Sequence, residues 1–118
     1  MKRILVAEDN DSNYILMTYI LKRDYEFVRA ANGQEAVDLA DGGNIDLVLM
    51  DVKMPMMDGL EATRIIKERH PQLPVIALTA NAFDEDVQRS LLAGMNAHLS
   101  KPVQAEVLFE TLENLIRD

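Results

Sequence analysis

I-D-L-V-L-M-D-V-K-M-P-M-M-D-G, from Ile45 to Gly59, is the stretch on which the reading of the chain turns. Leu47-Val48-Leu49-Met50 is a continuous apolar run, without the polar alternation of a half-exposed strand. Such a run suits a central parallel strand buried on both faces. It stops at Asp51, a carboxylate at the carboxyl end of a strand that has just crossed the core. In open α/β sheets, ligands bind in the crevice beyond those ends. A lone Asp in that place is most often a turn residue. Its meaning depends on what the other strand ends carry.

On the N-terminal side, Arg3-Ile4-Leu5-Val6-Ala7 predicts a short buried strand that ends in Glu8, Asp9, Asn10 and Asp11. Ser12 or Asp11 is expected to cap a helix running to about Asp24, with Leu16, Tyr19, Ile20 and Arg23 on one face. Phe27-Val28-Arg29-Ala30 predicts a second strand. Asn32 with Glu35 three residues on has capping-box spacing and opens a helix through Ala40, closed by Gly42-Gly43. On the C-terminal side, Asp58-Gly59-Leu60-Glu61 is a second cap, starting a helix that ends before Pro71. Val75-Ile76-Ala77-Leu78 predicts a fourth strand, terminated by Thr79. A helix from about 84 to 93 stops at Gly94, and Ala97-His98-Leu99-Ser100 reads as a fifth strand ended by Lys101-Pro102. Gln104 to Ile116 is an amphipathic helix with Leu108, Leu112 and Leu115 in phase. Strands alternate with helices, and no repeat or linker intervenes. The pattern is that of an α/β domain, a parallel sheet with helices on both faces.

At 118 residues the chain is expected to form one domain, 1–118, burying roughly two thirds of its unfolded surface. It ends at Asp118, directly after the last predicted helix, so no output domain is expected. A net charge of −8 and the lack of any Lys/Arg cluster argue against nucleic acid as a partner. There are no cysteines, which excludes disulfides and thiolate metal sites. No apolar run is long enough to span a bilayer, and Ile4–Ala7 runs straight into acids instead of forming a signal sequence. A cytoplasmic location is expected.

Set side by side, the strand ends deliver Glu8 and Asp9, Asp51, Thr79 and Lys101 to one edge of the sheet. Three carboxylates cannot stay close without compensation. Lysine supplies one positive charge, and a hard divalent cation with oxygen ligands supplies the rest. Mg²⁺ fits better than Ca²⁺, because a few carboxylates, waters and a phosphate oxygen are its usual shell. Zinc would want His or Cys, and His70 and His98 are not spaced as a pair.

With E-D-N after the first strand, M-D-V-K-M-P-M-M-D-G, A-L-T-A after the fourth strand and L-S-K-P after the fifth, the chain resembles the receiver domain of two-component response regulators. The likeness runs along essentially the whole chain, in the family's order and spacing. E-D-N, D-G-L-E-A and G-M-N-A-H-L-S-K-P are especially similar to receivers attached to hybrid sensor histidine kinases. The resemblance implies a flavodoxin-like, doubly wound, three-layer fold: a five-stranded parallel sheet of order 2-1-3-4-5 with five helices. It implies Asp51 as phosphoacceptor, taking a phosphoryl group from a phosphohistidine on a histidine kinase or histidine phosphotransfer protein. Asp9 and Asp51 would ligate Mg²⁺, with Glu8 acting mostly through water and Lys53 through its backbone carbonyl. Thr79 and Lys101 would each meet a phosphoryl oxygen. Lys53 and Asn81 would tune the lifetime of the phosphate. Thr79 and His98 would form the switch, remodelling the face of the fourth helix, fifth strand and fifth helix where a downstream protein binds. The Lys101-Pro102 bond is typically cis in the family. The protein would be a phosphorylation-dependent switch, not a turnover enzyme, and a monomer or weak dimer.

Two other functions share parts of this pattern. A haloacid-dehalogenase-type phosphatase also uses a strand-end Asp with Mg²⁺, but it needs a second Asp two residues on, where this chain has Lys53. A flavodoxin-like flavin binder needs a Ser/Thr/Gly-rich phosphate loop, where this chain has Glu8-Asp9-Asn10-Asp11. Met54, Met56 and Met57 are expected to be adaptable packing around the loop. His70 is expected to be a surface residue assisting helix-terminal carbonyls.

Overall fold

A computed structural model of the chain describes residues 1–54, 56–80 and 84–116, with the side chains of 84–87 left aside. In chain order the elements are β1 (Arg3–Ala7), α1 (Asp11–Leu21), β2 (Glu26–Ala30), α2 (Gly33–Asp41), β3 (Leu47–Asp51), α3 (Gly59–Arg69), β4 (Val75–Thr79), α4 (Asp84–Leu92), β5 (Ala97–Ser100) and α5 (Ala105–Ile116). The strands form one parallel sheet of order β2-β1-β3-β4-β5, with β2 and β5 as its edges. This is the fold class and strand order that the resemblance implies. β1 sits between β2 and β3, Leu5 facing Val28 on one side and Val48 on the other. The direction of winding reverses at β1, which opens a crevice at the carboxyl ends of β1 and β3.

The apolar strand runs divide their side chains between two cores, because successive residues of a strand point to opposite faces. Leu5, Ala7, Val48, Met50, Val75 and Ala77 face one way and meet Ala36, Val37 and Ala40 of α2 and Leu60, Ala62 and Ile66 of α3. Ile4, Val6, Leu47, Leu49, Ile76 and Leu78 face the other way and meet Met17 and Leu21 of α1 and Leu108 and Leu112 of α5. The three central strands are thus packed on both faces.

The starts of α1, α2 and α3 are set by short polar side chains. Asn32 Oδ1 accepts from the Glu35 N–H at 2.9 Å, and Glu35 reaches back to the Ala31 N–H at 2.9 Å. Asp58 Oδ1 accepts from the Glu61 N–H at 2.9 Å. The start of α1 differs from expectation: Asn10, not Asp11 or Ser12, is the cap, accepting from the Asn13 N–H at 3.0 Å. Its inward face differs too. Met17 and Leu21 are buried, while Leu16, Tyr19 (69% exposed) and Arg23 face outward and Ile20 is only partly packed. The helix also stops at Leu21, short of Asp24.

His70 corrects a second expectation. Its ring does not serve the carbonyls of its own helix. Nε2 lies 2.8 Å from Asp41 Oδ1, and Arg69 pairs with the same carboxylate. The C-terminal ends of α2 and α3 are thereby tied together. The hydrogen bond from His70, opposed by desolvation and aided by Arg69, holds the Asp41 carboxyl below its ordinary value. Among the described residues no helix is long and apolar enough to cross a membrane.

Candidate functional site

Of the sequence-predicted site residues, Glu8, Asp9, Asp51, Thr79 and Lys101 converge at the carboxyl edge of the sheet. Glu8 follows β1 and is fully buried; Asp51 ends β3 and Thr79 ends β4, both buried; Asp9 is exposed. Carboxylate oxygens of Glu8, Asp9 and Asp51 lie within 4.8 Å of one another. Lys101, just after β5, inserts its ammonium between two of them, 2.7 Å from Glu8 Oε1 and 3.2 Å from Asp51 Oδ2. The Lys101 N–H donates to the Thr79 carbonyl at 2.8 Å, fixing where the side chain starts. The Lys101-Pro102 peptide is cis.

Burial pushes the Glu8 carboxyl up; neighbouring Asp51 adds to this, and Lys101 only partly opposes it. Burial alone would pull Lys101 down, but Glu8 and Asp51 outweigh it and hold the ammonium above its usual value. The site is therefore short of positive charge. Glu8 is buried with both oxygens engaged: Oε1 pairs with the Lys101 ammonium, and Oε2 accepts from the Asn10 N–H at 3.2 Å. Three clustered carboxylates against one ammonium are an all-oxygen donor set with surplus negative charge, which fits a hard divalent cation.

The loop from Val52 to Asp58 is pinned at two backbone contacts. The Gly59 N–H donates to the Val52 carbonyl at 2.9 Å, and a Cβ at Gly59 would lie 2.1 Å from the Asp51 carbonyl oxygen. The Gly33 N–H, at the start of α2, donates to the Met57 carbonyl at 3.0 Å; a Cβ there would lie 2.2 Å from that oxygen. Only glycine permits both approaches. Asp51 Oδ1 accepts from the Lys53 N–H at 3.2 Å, so the loop also orients the carboxylate. Met54 and Met57 pack against the core as expected, but Met56 does not: it is 87% exposed, with a φ of +67°.

A cavity of about 140 Å³ opens beside Asp51, lined by Val52, Lys53, Leu78, Thr79, Ala80 and Lys101. The Lys53 side chain is exposed. Asn81 lies outside the described residues. His98 is apart from this cavity: it stands half-buried on β5 beside Ala77 and lines a separate hollow with Val103, Gln104 and Val107. One residue at the site was not foreseen. Arg29 of β2 donates from Nε to the Glu8 carbonyl (3.2 Å) and from Nη2 to the Asp9 carbonyl (3.3 Å), and pairs with Asp11 at 2.9 Å. A single arginine in a strand carries no local mark of such a role.

Comparison with known proteins agrees with this geometry. The model of the response regulator receiver domain family matches residues 4–113. The polar-differentiation response regulator DivK of Brucella anthropi is 38% identical over 122 residues, covering 99% of this chain and 98% of that protein. The receiver domain of a sensor histidine kinase from Pseudomonas aeruginosa, with a magnesium ion coordinated in the active site cleft, superposes with a TM-score of 0.92 at 37% identity, covering 99% of this chain and 98% of that one. A co-crystal structure of the Saccharomyces cerevisiae histidine phosphotransfer signaling protein Ypd1 and the receiver domain of its downstream response regulator Ssk1 matches with a TM-score of 0.91 at 30% identity, over 97% of this chain and 88% of that one. Strand order, strand-end acids and relatives lead to the same place, and the chain belongs to the response regulator receiver domain family.

Proposed function

We propose that the chain is a phosphoacceptor switch of a two-component phosphorelay, with Asp51 as the phosphorylated residue. The observation that carries this reading is the meeting of Glu8, Asp9, Asp51 and Lys101 at one sheet edge. Asp51 attacks the phosphorus of a phosphohistidine on a histidine kinase or histidine phosphotransfer protein. A P–O bond forms, the P–N bond breaks, and its electron pair stays with the leaving imidazole nitrogen. Asp9 and Asp51, with help from Glu8 and the Lys53 carbonyl, would hold Mg²⁺, which would supply charge to neutralise phosphoryl oxygens. Lys101 pairs with one phosphoryl oxygen, and the Thr79 hydroxyl donates to another. Ile15, Leu16 and Tyr19 are exposed apolar side chains on α1, and Leu16 borders a small hollow shared with Glu8 and Lys101; such a surface favours a protein donor over a free metabolite. A relative crystallised with a histidine phosphotransfer protein supports the same donor class.

Incubation with a small acyl phosphate and Mg²⁺ is expected to add one phosphate, mapped to Asp51 and blocked by a chelator. Phosphate on any other residue, or labelling that ignores the chelator, refutes the assignment.

The output is a change of shape. Phosphorylation replaces one carboxylate charge with a group carrying about two, a strong acceptor for the Thr79 hydroxyl. Thr79 moves toward it, and the ring of His98 turns into the space beside β4, reshaping the surface of α4, β5 and α5 for a downstream protein. Both arrangements coexist, and the phosphate shifts their populations. NMR of His98 with beryllofluoride and Mg²⁺ is expected to show the ring changing environment. An unchanged ring with Asp51 occupied removes His98 from the switch.

A further inference from the structure

We propose that Arg29 is the positioning residue of the acid loop, holding the backbone on either side of Asp9 so that its carboxylate faces Asp51. The proposal rests on the reading above that these carboxylates hold a divalent cation. Arg29 lies on the edge strand β2, level with Val6 of β1, and its guanidinium reaches past the end of β1. Its two carbonyl contacts are not to arbitrary oxygens. The Glu8 carbonyl belongs to the peptide plane before the Asp9 Cα, and the Asp9 carbonyl to the plane after it. Peptide planes are rigid, so a group gripping both fixes the two torsions of Asp9 between them.

Asp9 needs this more than its neighbours do. Glu8 is fully buried, and its N–H donates to the Ala30 carbonyl at 3.0 Å. Asp51 sits in the central strand. Asp9 is exposed, at the point where the chain leaves the sheet. The guanidinium is held in turn: its carbon lies 4.5 Å from the centre of the Tyr14 ring, Nη2 pairs with Asp11, and Tyr14 rests edge-on against Phe27 with centroids 6.5 Å apart. A planar fork stacked on an aromatic ring is a geometry that lysine cannot reproduce.

The sign of the effect separates positioning from charge. A cation near a metal site repels the metal, so if Arg29 acted only through its charge, removing it would tighten Mg²⁺ binding. If it orders the loop, removing it weakens binding despite the lost repulsion. Arg29→Met keeps an unbranched stem over Tyr14 without donors, and Arg29→Lys keeps the charge without the fork. Mg²⁺ affinity is expected to fall roughly five- to tenfold in Arg29→Met, the scale of leaving one residue's backbone for the ion to order. Arg29→Lys should recover only a small part of the loss. In the metal-free proteins, ¹⁵N relaxation and hydrogen exchange should show Asp9 and Asn10 loosened in both variants while the β3 and β4 amides keep their protection.

Equal or tighter Mg²⁺ binding by Arg29→Met, or full recovery by Arg29→Lys, overturns the proposal. Loosening spread over the central strands does so too, because it marks a general structural role. If the parent protein binds no Mg²⁺, the reading of the site fails, and the amides of the metal-free variants still decide whether Arg29 orders the loop.

Discussion

Asp51→Asn is expected to abolish phosphorylation and, in the absence of divalent metal, to raise the melting temperature. The first effect follows from removing the proposed phosphoacceptor. The second follows from charge crowding. Burial first, and then Asp51, push the Glu8 carboxyl up, a sign that the folded protein works against the charges it has gathered. Lys101 is nearer to Glu8 (2.7 Å) than to Asp51 (3.2 Å), so neutralising Asp51 leaves the closer pair in place. Relief of like-charge repulsion in a functional site is expected to stabilise by about 1–2 kcal/mol. For a chain of this size that is a rise of roughly 4–8 °C. Added Mg²⁺ should reverse the order, because the parent gains stability by binding the ion and the variant gains less. Thermal scans with and without Mg²⁺ check both halves. A variant less stable than the parent in chelator would show that Asp51 is a net contributor to the fold and that the crowding is not real.

Gly59→Ala is expected to cost about 2 kcal/mol of stability and to slow phosphorylation by roughly a hundredfold. Two effects compete. Gly59 begins α3, and inside a helix alanine is better than glycine by about 1 kcal/mol, less at a first turn. Against that, the new Cβ would lie 2.1 Å from the Asp51 carbonyl oxygen and 2.9 Å from Met50 Cγ, and the first of these is backbone. A flexible side chain would swing away; a carbonyl at the end of a buried central strand cannot. Overpacking of this kind costs about 1–3 kcal/mol, so sterics outweigh propensity. The relaxation that does occur moves Asp51 itself, and displacing a reacting group by about 1 Å costs on the order of a hundredfold in rate. Urea unfolding and acyl-phosphate labelling of the same preparation test this. Unchanged stability would mean that the approach of α3 to β3 is looser than the structure describes.

The central strands were legible because runs such as Ile4–Ala7, Leu47–Met50 and Val75–Leu78 admit no polar residue and stop at an acid or a threonine. The caps at Asn32 and Asp58 were legible because each stands alone before its helix. Asn10-Asp11-Ser12-Asn13 offers four capping side chains in a row, and only the angle at which the chain leaves β1 selects Asn10. The face of α1 was misread for a related reason. Tyr14, Ile15, Leu16, Met17, Tyr19, Ile20 and Leu21 place apolar groups nearly all round the helix, so periodicity does not single out Met17 and Leu21. Contacts between distant parts of the chain left no trace in local pattern. The reach of His70 to Asp41 and the grip of Arg29 on the Glu8 and Asp9 carbonyls depend on which elements become neighbours. The acids, the threonine and the lysine of the site could be gathered from sequence because parallel topology sends every strand's carboxyl end to the same edge.

The two edges of the sheet have a consequence for how the chain behaves when crowded with copies of itself during synthesis. An exposed strand edge is a template on which a strand of another molecule can grow, and long, flat, apolar edges are the most hazardous. Here β5 is only four residues long and runs into Pro102, which has no N–H to offer. β2 carries Glu26 and Arg29 among its five residues, and burying an ion under an added strand is costly. The apolar strands that would aggregate most readily, β1, β3 and β4, are all interior and are sealed once their neighbours dock. The sheet is thereby closed to recruitment at five strands, and the arginine that steadies the acid loop is one of the residues that close it.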